Sequence, residues 1–228
     1  MDMPSAKAGG FFNTMATLNY PFVYRAFELA AGNITDSLEV NLKKGSDLVG
    51  KMEFHIRKAG IDDAESIAKV HIGSWRTTYK GIVADDILDK LNVQSRTERW
   101  ESILGNQSED YRIFVAENQF KQVIGFLDGG MNREKAYDYD AEMYAFYLLE
   151  HVQKQGIGRE MVKSLAEELQ SMGFKSMIVW VLKDNPAKVF YEKLGGVYVD
   201  TKYLEGLQLD EVAYGWKDVG TLTKKTTR

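Results

Sequence analysis

The chain of 228 residues is 44% hydrophobic, enough for one sizeable core with a small appendage. A formal charge of −4 argues against a nucleic-acid surface as the main function. The absence of cysteine excludes disulfide staples, thiolate zinc sites and a cysteine nucleophile. The histidines at 55, 71 and 151 have no paired ligand spacing, so no metal is expected. No run approaches the roughly 20 apolar residues that span a bilayer, so a cytoplasmic protein without membrane contact is expected.

Residues 1–51 differ in character from the rest of the chain. Residues 1–10 are small and polar, 22–31 suit a short helix closed by Gly32-Asn33, and 37–50 mix isolated apolar residues with Lys43, Lys44 and Gly45. This leader is expected to be dispensable for chemistry. An orderly domain is expected over 52–220, followed by a polar, frayed tail at 221–228.

Within the domain, Phe54-His55-Ile56-Arg57 alternates as a strand. Asp62-Asp63 is placed to cap a helix in which Ala64, Ile67, Ala68, His71, Ile72 and Trp75 share a face. Helices over 84–91 and 95–104 come next, then strands over 111–117 and 122–129 joined by a polar turn. An aromatic, apolar strand at 143–149 precedes the turn Gln153-Lys154-Gln155-Gly156-Ile157-Gly158. The helix after the turn carries Met161, Val162, Leu165, Ala166 and Leu169 at helical spacing and stops at Gly173. A strand at 176–182, a short helix at 186–194 and strands at 197–203 and 209–216 complete a mixed α/β order.

The glycine turn is the most informative stretch. A turn that opens a helix exposes unpaired N–H groups at the positive end of the helix dipole, a ready site for a phosphate or pyrophosphate. Glycine there removes the Cβ that would hold an anion away and permits positive φ. A plain strand-to-helix turn would carry the same residues.

Gln153-x-x-Gly156-x-Gly158 after a strand, with Asn185-x-x-Lys188-x-Phe190-Tyr191-x-x-x-Gly195 about thirty residues on, resembles the GNAT superfamily of acetyl-CoA-dependent N-acetyltransferases. The resemblance covers about residues 54–217. Glu150, where many members have proline, and Gly196, where an apolar residue is usual, depart from the pattern. The resemblance implies a central mixed, mostly antiparallel sheet with splayed strands, flanked by helices. It implies acetyl-CoA as co-substrate, held by Gln153, Lys154, Gln155, Gly156, Ile157, Gly158 and Arg159. The pantetheine arm would pair with the strand edge at Phe146, Tyr147 and Leu148 in the manner of an added strand, and a backbone N–H there would stabilise a developing oxyanion. Asn185 would bond the arm, cap the next helix, or do both. Tyr191 would be the general acid for the departing thiolate, with aromatic packing as the rival role.

A neutral amine is needed for attack, and Glu142, eleven residues before Gln153, resembles the carboxylate position of lysine acetyltransferases in this superfamily. Strict alternation puts it on one face with Tyr144 and Phe146, where semi-burial would raise its pKa. Asp138 and Asp140 are alternative carboxylates, while His71 reads better as a hydrogen-bonded core residue. Trp75, Arg76, Tyr79, Tyr144 and Glu211 are the candidate acceptor-site residues. The expected activity is direct acetyl transfer to a primary amine of a small molecule or a protein, by a chain that could form a homodimer. A non-catalytic acyl-CoA-binding module of the same fold is the rival.

Overall fold

The computed structural model describes residues 53–224; the expected leader helix and the last four residues lie outside them. Seven strands form one sheet: β1 (Phe54–Lys58), β2 (Tyr111–Asn118), β3 (Val123–Met131), β4 (Ala141–Leu148), β5 (Met177–Leu182), β6 (Val197–Leu204) and β7 (Leu209–Trp216). Their spatial order is β1-β2-β3-β4-β5-β7-β6, and every neighbouring pair is antiparallel except β4–β5. The helices are α1 (Ala64–Thr78), α2 (Asp85–Asp89), α3 (Val93–Gly105), α4 (Ile157–Ser171) and α5 (Lys188–Lys193).

The parallel pair arises from connectivity. Strands joined through a helix can run in the same direction, whereas hairpin-joined strands cannot. Helix α4 makes that crossover, and its apolar stripe of Ile157, Met161, Val162, Leu165, Ala166 and Leu169 is buried against the sheet. Burying each large member of such a stripe contributes roughly 1.5–3 kcal/mol. The opposite face is covered by α1 and α3, with Ile67, Ala68, Trp100, Ile113, Val115 and Phe126 at the centre of a second cluster. A third cluster joins the end of α1 to α2 and to the far ends of β5 and β6 through Trp75, Tyr79, Leu88, Leu182 and Leu204.

Several local expectations are adjusted. Asp63 does not cap α1 with its side chain; its carboxylate takes both Arg57 guanidinium nitrogens at 2.7 and 2.8 Å and the Gly60 amide at 2.8 Å. Arg57 also reaches Glu117 at 2.6 Å, so this triad ties β1 to β2. Asn92 caps α3, its side chain accepting from the Ser95 amide at 3.1 Å. The segment expected to fray from 221 is packed through Leu222: Val219–Leu222 forms a 3-10 turn whose Val219 and Leu222 are buried in the α4-side core.

Two features of β4 position the site. Its pairing with β5 covers only Ala141, Met143 and the Glu142 between them, opposite Met177, Val179 and Ile178. From Tyr144 onward the two parallel strands diverge, leaving the β5-facing edge of β4 without a strand partner. A β-bulge falls at the same place, because Gly129 pairs with Met143 and Asp128 with Ala145, so Tyr144 is the extra residue.

Candidate active site

The gap opens at the carboxyl ends of β4 and β5, the usual position of ligand crevices in sheets of this kind. At its mouth, Lys154 and Gly156 have φ of 62° and 89°, with Gln155 between them. Such alternation turns successive amides toward one concavity. Gly156 is the N-cap of α4, no side chain caps this helix end, and a Cβ on Gly156 would project into open space. Backbone amides in this turn find backbone acceptors at Val152, Gln153, Arg159 and Glu160, whereas those of 154–158 have none among the described residues. Gly158 packs closely for a different reason: its Cβ would lie 3.2 Å from the Phe146 ring and 3.3 Å from that of Phe190, two rings in contact with each other.

The side chains of the turn do other work. Gln153 donates to the Leu148 carbonyl at 3.1 Å and so ties the turn back onto β4. Gln155 donates to the His151 carbonyl at 3.4 Å. Ile157 is buried in the core, while Arg159 is exposed in the first turn of α4. The amides without a backbone acceptor and the free edge of Phe146, Tyr147 and Leu148 fit an anionic, amide-bearing group such as a coenzyme A diphosphate and its arm.

Deeper in, a chain of polar contacts crosses the gap. Trp75 Nε1 donates to the Tyr147 hydroxyl at 3.0 Å, the hydroxyls of Tyr79 and Tyr147 interact, and Asn185 Nδ2 donates to Tyr79 at 3.3 Å. Asn185 Oδ1 accepts from the Ala187 amide at 2.8 Å, so this side chain also organises the entry to α5. Tyr191, buried on α5, packs its ring among Phe190, Tyr214 and Trp216. Desolvation, reinforced by Tyr147, pushes its phenol up, so it holds its proton throughout the physiological range. The unusual Gly196 belongs to this packing: a Cβ there would meet the Trp216 ring at 2.8 Å.

The face of the sheet opposite α4 carries the charged side of the gap. Glu142 is buried, but it is not a free carboxylate. Arg133 holds it in a two-pronged ion pair, with Nε on Oε2 at 3.0 Å and Nη2 on Oε1, and the Arg133 amide adds a contact at 3.3 Å. Both oxygens are engaged by Arg133, a partner that the spacing around Glu142 did not reveal. The bulge corrects its neighbours as well. Phe146 lies on the α4 side, whereas Tyr144 stays with Glu142, its ring 3.9 Å beneath the Arg133 guanidinium and its hydroxyl donating to the Met131 carbonyl at 2.5 Å.

Asp140 is structural: it accepts from the Lys175 and Ser176 amides at 2.7 and 3.1 Å. Asp138 is fully exposed and pairs with Lys217. His71 is a core residue but lacks the expected hydrogen bond at Nδ1; it stacks on Tyr147 with centroids 4.8 Å apart. Arg76 is exposed and donates to the Leu91 carbonyl at 3.0 Å, so it braces the α2–α3 connection rather than facing an acceptor. Trp75 and Tyr79 belong to the polar chain through Tyr147 and Asn185, whereas Tyr144 and Glu211 lie beside Arg133.

Glu211 stands apart among these carboxylates. It is 6% exposed, Oε1 is sealed from solvent without a hydrogen-bond partner among the described residues, and burial pushes the carboxyl up to about 7. Sequence reading missed its surroundings: Arg133, Tyr137, Trp180 and Lys202. Lys202 lies opposite Glu211 in the β6–β7 register, stacks over Trp180 at 3.9 Å and Tyr137 at 4.7 Å, and pairs with Glu134. Only Arg133 offered a signal, since a β3–β4 hairpin must bring it back alongside the start of β4. Among the described residues no group of three His, Asp or Glu side chains is disposed to hold a metal, and no helix is long and apolar enough to cross a membrane.

A mostly antiparallel sheet that opens between its two parallel strands, with a glycine turn at the mouth, defines an acetyltransferase fold of the GNAT type. Residues 125–204 match the family described as FR47-like protein. The uncharacterized N-acetyltransferase YuaI of Bacillus subtilis (strain 168) is 40% identical over 171 residues, covering 73% of this chain and 95% of that protein. A spermidine N(1)-acetyltransferase of Thermoplasma acidophilum is 25% identical over 153 residues, 66% of this chain and 92% of its own. The crystal structure of PaiA N-acetyltransferase from Thermoplasma acidophilum, in complex with coenzyme A, superposes with a TM-score of 0.54 at 20% identity, covering 72% of this chain and all of that one. The chain belongs to the GNAT family of acetyl-CoA-dependent N-acetyltransferases.

Proposed function

We propose that this protein transfers an acetyl group from acetyl-CoA directly to a primary amine of a small molecule or protein. When bound, the coenzyme supplies an activated thioester and a thiol leaving group. The amides of 154–158 hold its diphosphate, and the free edge of β4 from Tyr144 to Leu148 aligns its arm. Phe146 and Phe190 exclude water from beneath it. Tyr191, neutral and close to the same edge through its neighbour Tyr147, donates a proton to the departing sulfur. No cysteine exists to carry an acyl-enzyme, which supports a direct route.

The observation that carries this reading is the divergence of β4 from β5 at Tyr144, which leaves main-chain donors facing a gap with proton donors and carboxylates on its far wall. The acceptor is read as cationic. Four carboxyls on that wall, Asp128, Glu134, Glu142 and Glu211, share two cations, Arg133 and Lys202, so an added ammonium improves the balance. A 25% identical relative named for spermidine fits that chemistry, and aliphatic diamines and polyamines head the acceptor panel.

The test is thiol release from acetyl-CoA across amino acids, polyamines, amino sugars and lysine peptides. Turnover with an aliphatic amine is the expected result. Tight coenzyme binding with no thiol released by any amine would favour a sensing module and end the enzymatic reading.

A further inference from the structure

We propose that Glu211, on β7, is the catalytic group that removes the proton from the acceptor ammonium. This rests on the acetyl-transfer reading and assigns its base. The geometry comes first. Strand β7 sends Val212, Tyr214 and Trp216 into the α4-side core, so Glu211 projects to the opposite face, where the gap and the charged wall lie. It pairs in register with Leu182 at the far end of β5, beyond the point where β4 has separated. Its Oε1 has no hydrogen-bond donor among the described residues; Asp128 Oδ1 shares that isolation, but Asp128 Oδ2 accepts from Tyr111, and Glu142 has three donors from Arg133.

A buried acceptor oxygen without a donor costs about 1–3 kcal/mol, a cost that a bound donor removes. An ammonium does so with three N–H groups. The charged and titratable groups that face Glu211 are Lys202 from β6, Glu142 from β4, and Arg133 and Tyr137 from the β3–β4 connection. Burial is the largest influence and opposes ionisation, Glu142 adds to it, and Lys202 and Arg133 act against it. The balance leaves a carboxyl that titrates near neutrality, the range in which a base can both take and release a proton.

The step balances simply. One N–H bond of R–NH3+ breaks, one O–H bond forms on Glu211, the nitrogen keeps the electron pair it needs for attack, and the proton then leaves Glu211 for water. The wall of Trp180, Leu182 and Tyr79 shields the amine from resolvation. Glu142, locked by Arg133, serves as a fixed negative charge that orients the ammonium.

The experiment uses the whole protein in two arms. In the first, protein labelled with carboxyl-13C glutamate is titrated from pH 5 to 9 with and without n-butylamine. The expected result is one resonance, absent from Glu211→Gln, that titrates near 7 and shifts when the amine is added. In the second, kcat/KM for thiol release is followed against pH. The acidic limb of the wild-type profile should disappear in Glu211→Gln with at least a hundredfold loss at pH 8, persist in Glu142→Gln, and return at reduced rate in Glu211→Asp. Acetyl-CoA affinity should be unchanged in all three.

A Glu211 resonance titrating in the ordinary carboxylate range, or an unchanged limb in Glu211→Gln, would overturn the assignment while acetyl transfer stands. Absence of thiol release from the wild type with every amine would overturn both.

Discussion

The coenzyme end and the acceptor wall of this site are built from different materials. The proposed coenzyme end is main chain: amides over 154–158 without a backbone acceptor and a strand edge that has lost its neighbour. The acceptor wall is side chain: Glu142, Glu211, Arg133, Lys202 and Trp180, brought together from β4, β7, β6, β5 and a hairpin loop. A main-chain site tolerates exchange of most side chains around it but not a change of backbone conformation. A side-chain site has the opposite sensitivity, and its electrostatics depend on pH. The contrast yields separable expectations.

The largest effect is expected at Gly156. Its φ of 89° is unfavourable for any β-branched residue, and a Cβ would occupy the open space in front of the amides. Gly156→Val should weaken acetyl-CoA binding on the order of 1000-fold, roughly 4 kcal/mol, with the acceptor wall intact. Calorimetry measures it, and a Kd within a few-fold of wild type would remove the turn from the site. Next comes Tyr191→Phe, which keeps the packing against Tyr214 and Trp216 and deletes only the hydroxyl. The expected loss is about 100-fold or more in kcat, with coenzyme affinity unchanged. Equal loss in both parameters would make Tyr191 part of the floor rather than a proton donor.

The third expectation concerns the clamp. Arg133→Ala leaves the buried Glu142 carboxylate uncompensated, and breaking such a pair costs about 3 kcal/mol of folding stability. Glu142→Gln retains the shape and a hydrogen-bonding group, so it should cost less. Urea unfolding of both variants decides it, and equal small losses would show the pair to be weakly coupled to the fold.

The same contrast explains what was legible in the sequence. The glycine turn could be read because its determinants are contiguous: Gly156 and Gly158 sit within three residues, after an apolar strand and before a periodic helix. Helix α4 and all seven strands were legible for the same reason, since periodicity is local. The bulge at Tyr144 was not, because nothing in residues 141–148 marks an extra residue; it exists only in the pairing with β3, and it moved Phe146 to the other face. The Arg133 clamp, the isolation of Glu211 and the placement of Lys202 depend on strand order, above all on β7 entering between β5 and β6. Arg76 shows the converse error: one position after Trp75 it turns outward, because adjacent helical residues do not share a face.

The smallest expected effect also isolates the acceptor wall most cleanly. The Glu211 carboxyl is pushed from an ordinary 4.5 to about 7 by burial, so between those values the native state keeps a proton that the unfolded chain has shed. Its contribution is therefore present in full below about 4.5, falls as pH rises, and is gone once pH exceeds the folded value. Glutamine has no proton to lose. Relative to wild type, Glu211→Gln should gain stability as pH rises from 5 to 8, by about 2 kcal/mol at the upper end. Asp128, pushed up to about 7 by burial on the same face, should leave both proteins with a residual decline in that direction. Asp63 and Glu117, held low chiefly by hydrogen bonds from Arg57, lose stability only as pH falls into the acid range. His71, kept neutral by burial, opposes folding as pH drops through 6.5, but it is common to both chains and cancels in the difference. Unfolding curves at pH 5, 6, 7 and 8 thus read one carboxyl of the acceptor wall without any ligand. Parallel curves for the two proteins would mean that Glu211 is ionised in the native state across this range, and the distinction between a main-chain coenzyme end and a titrating acceptor wall would lose its electrostatic half.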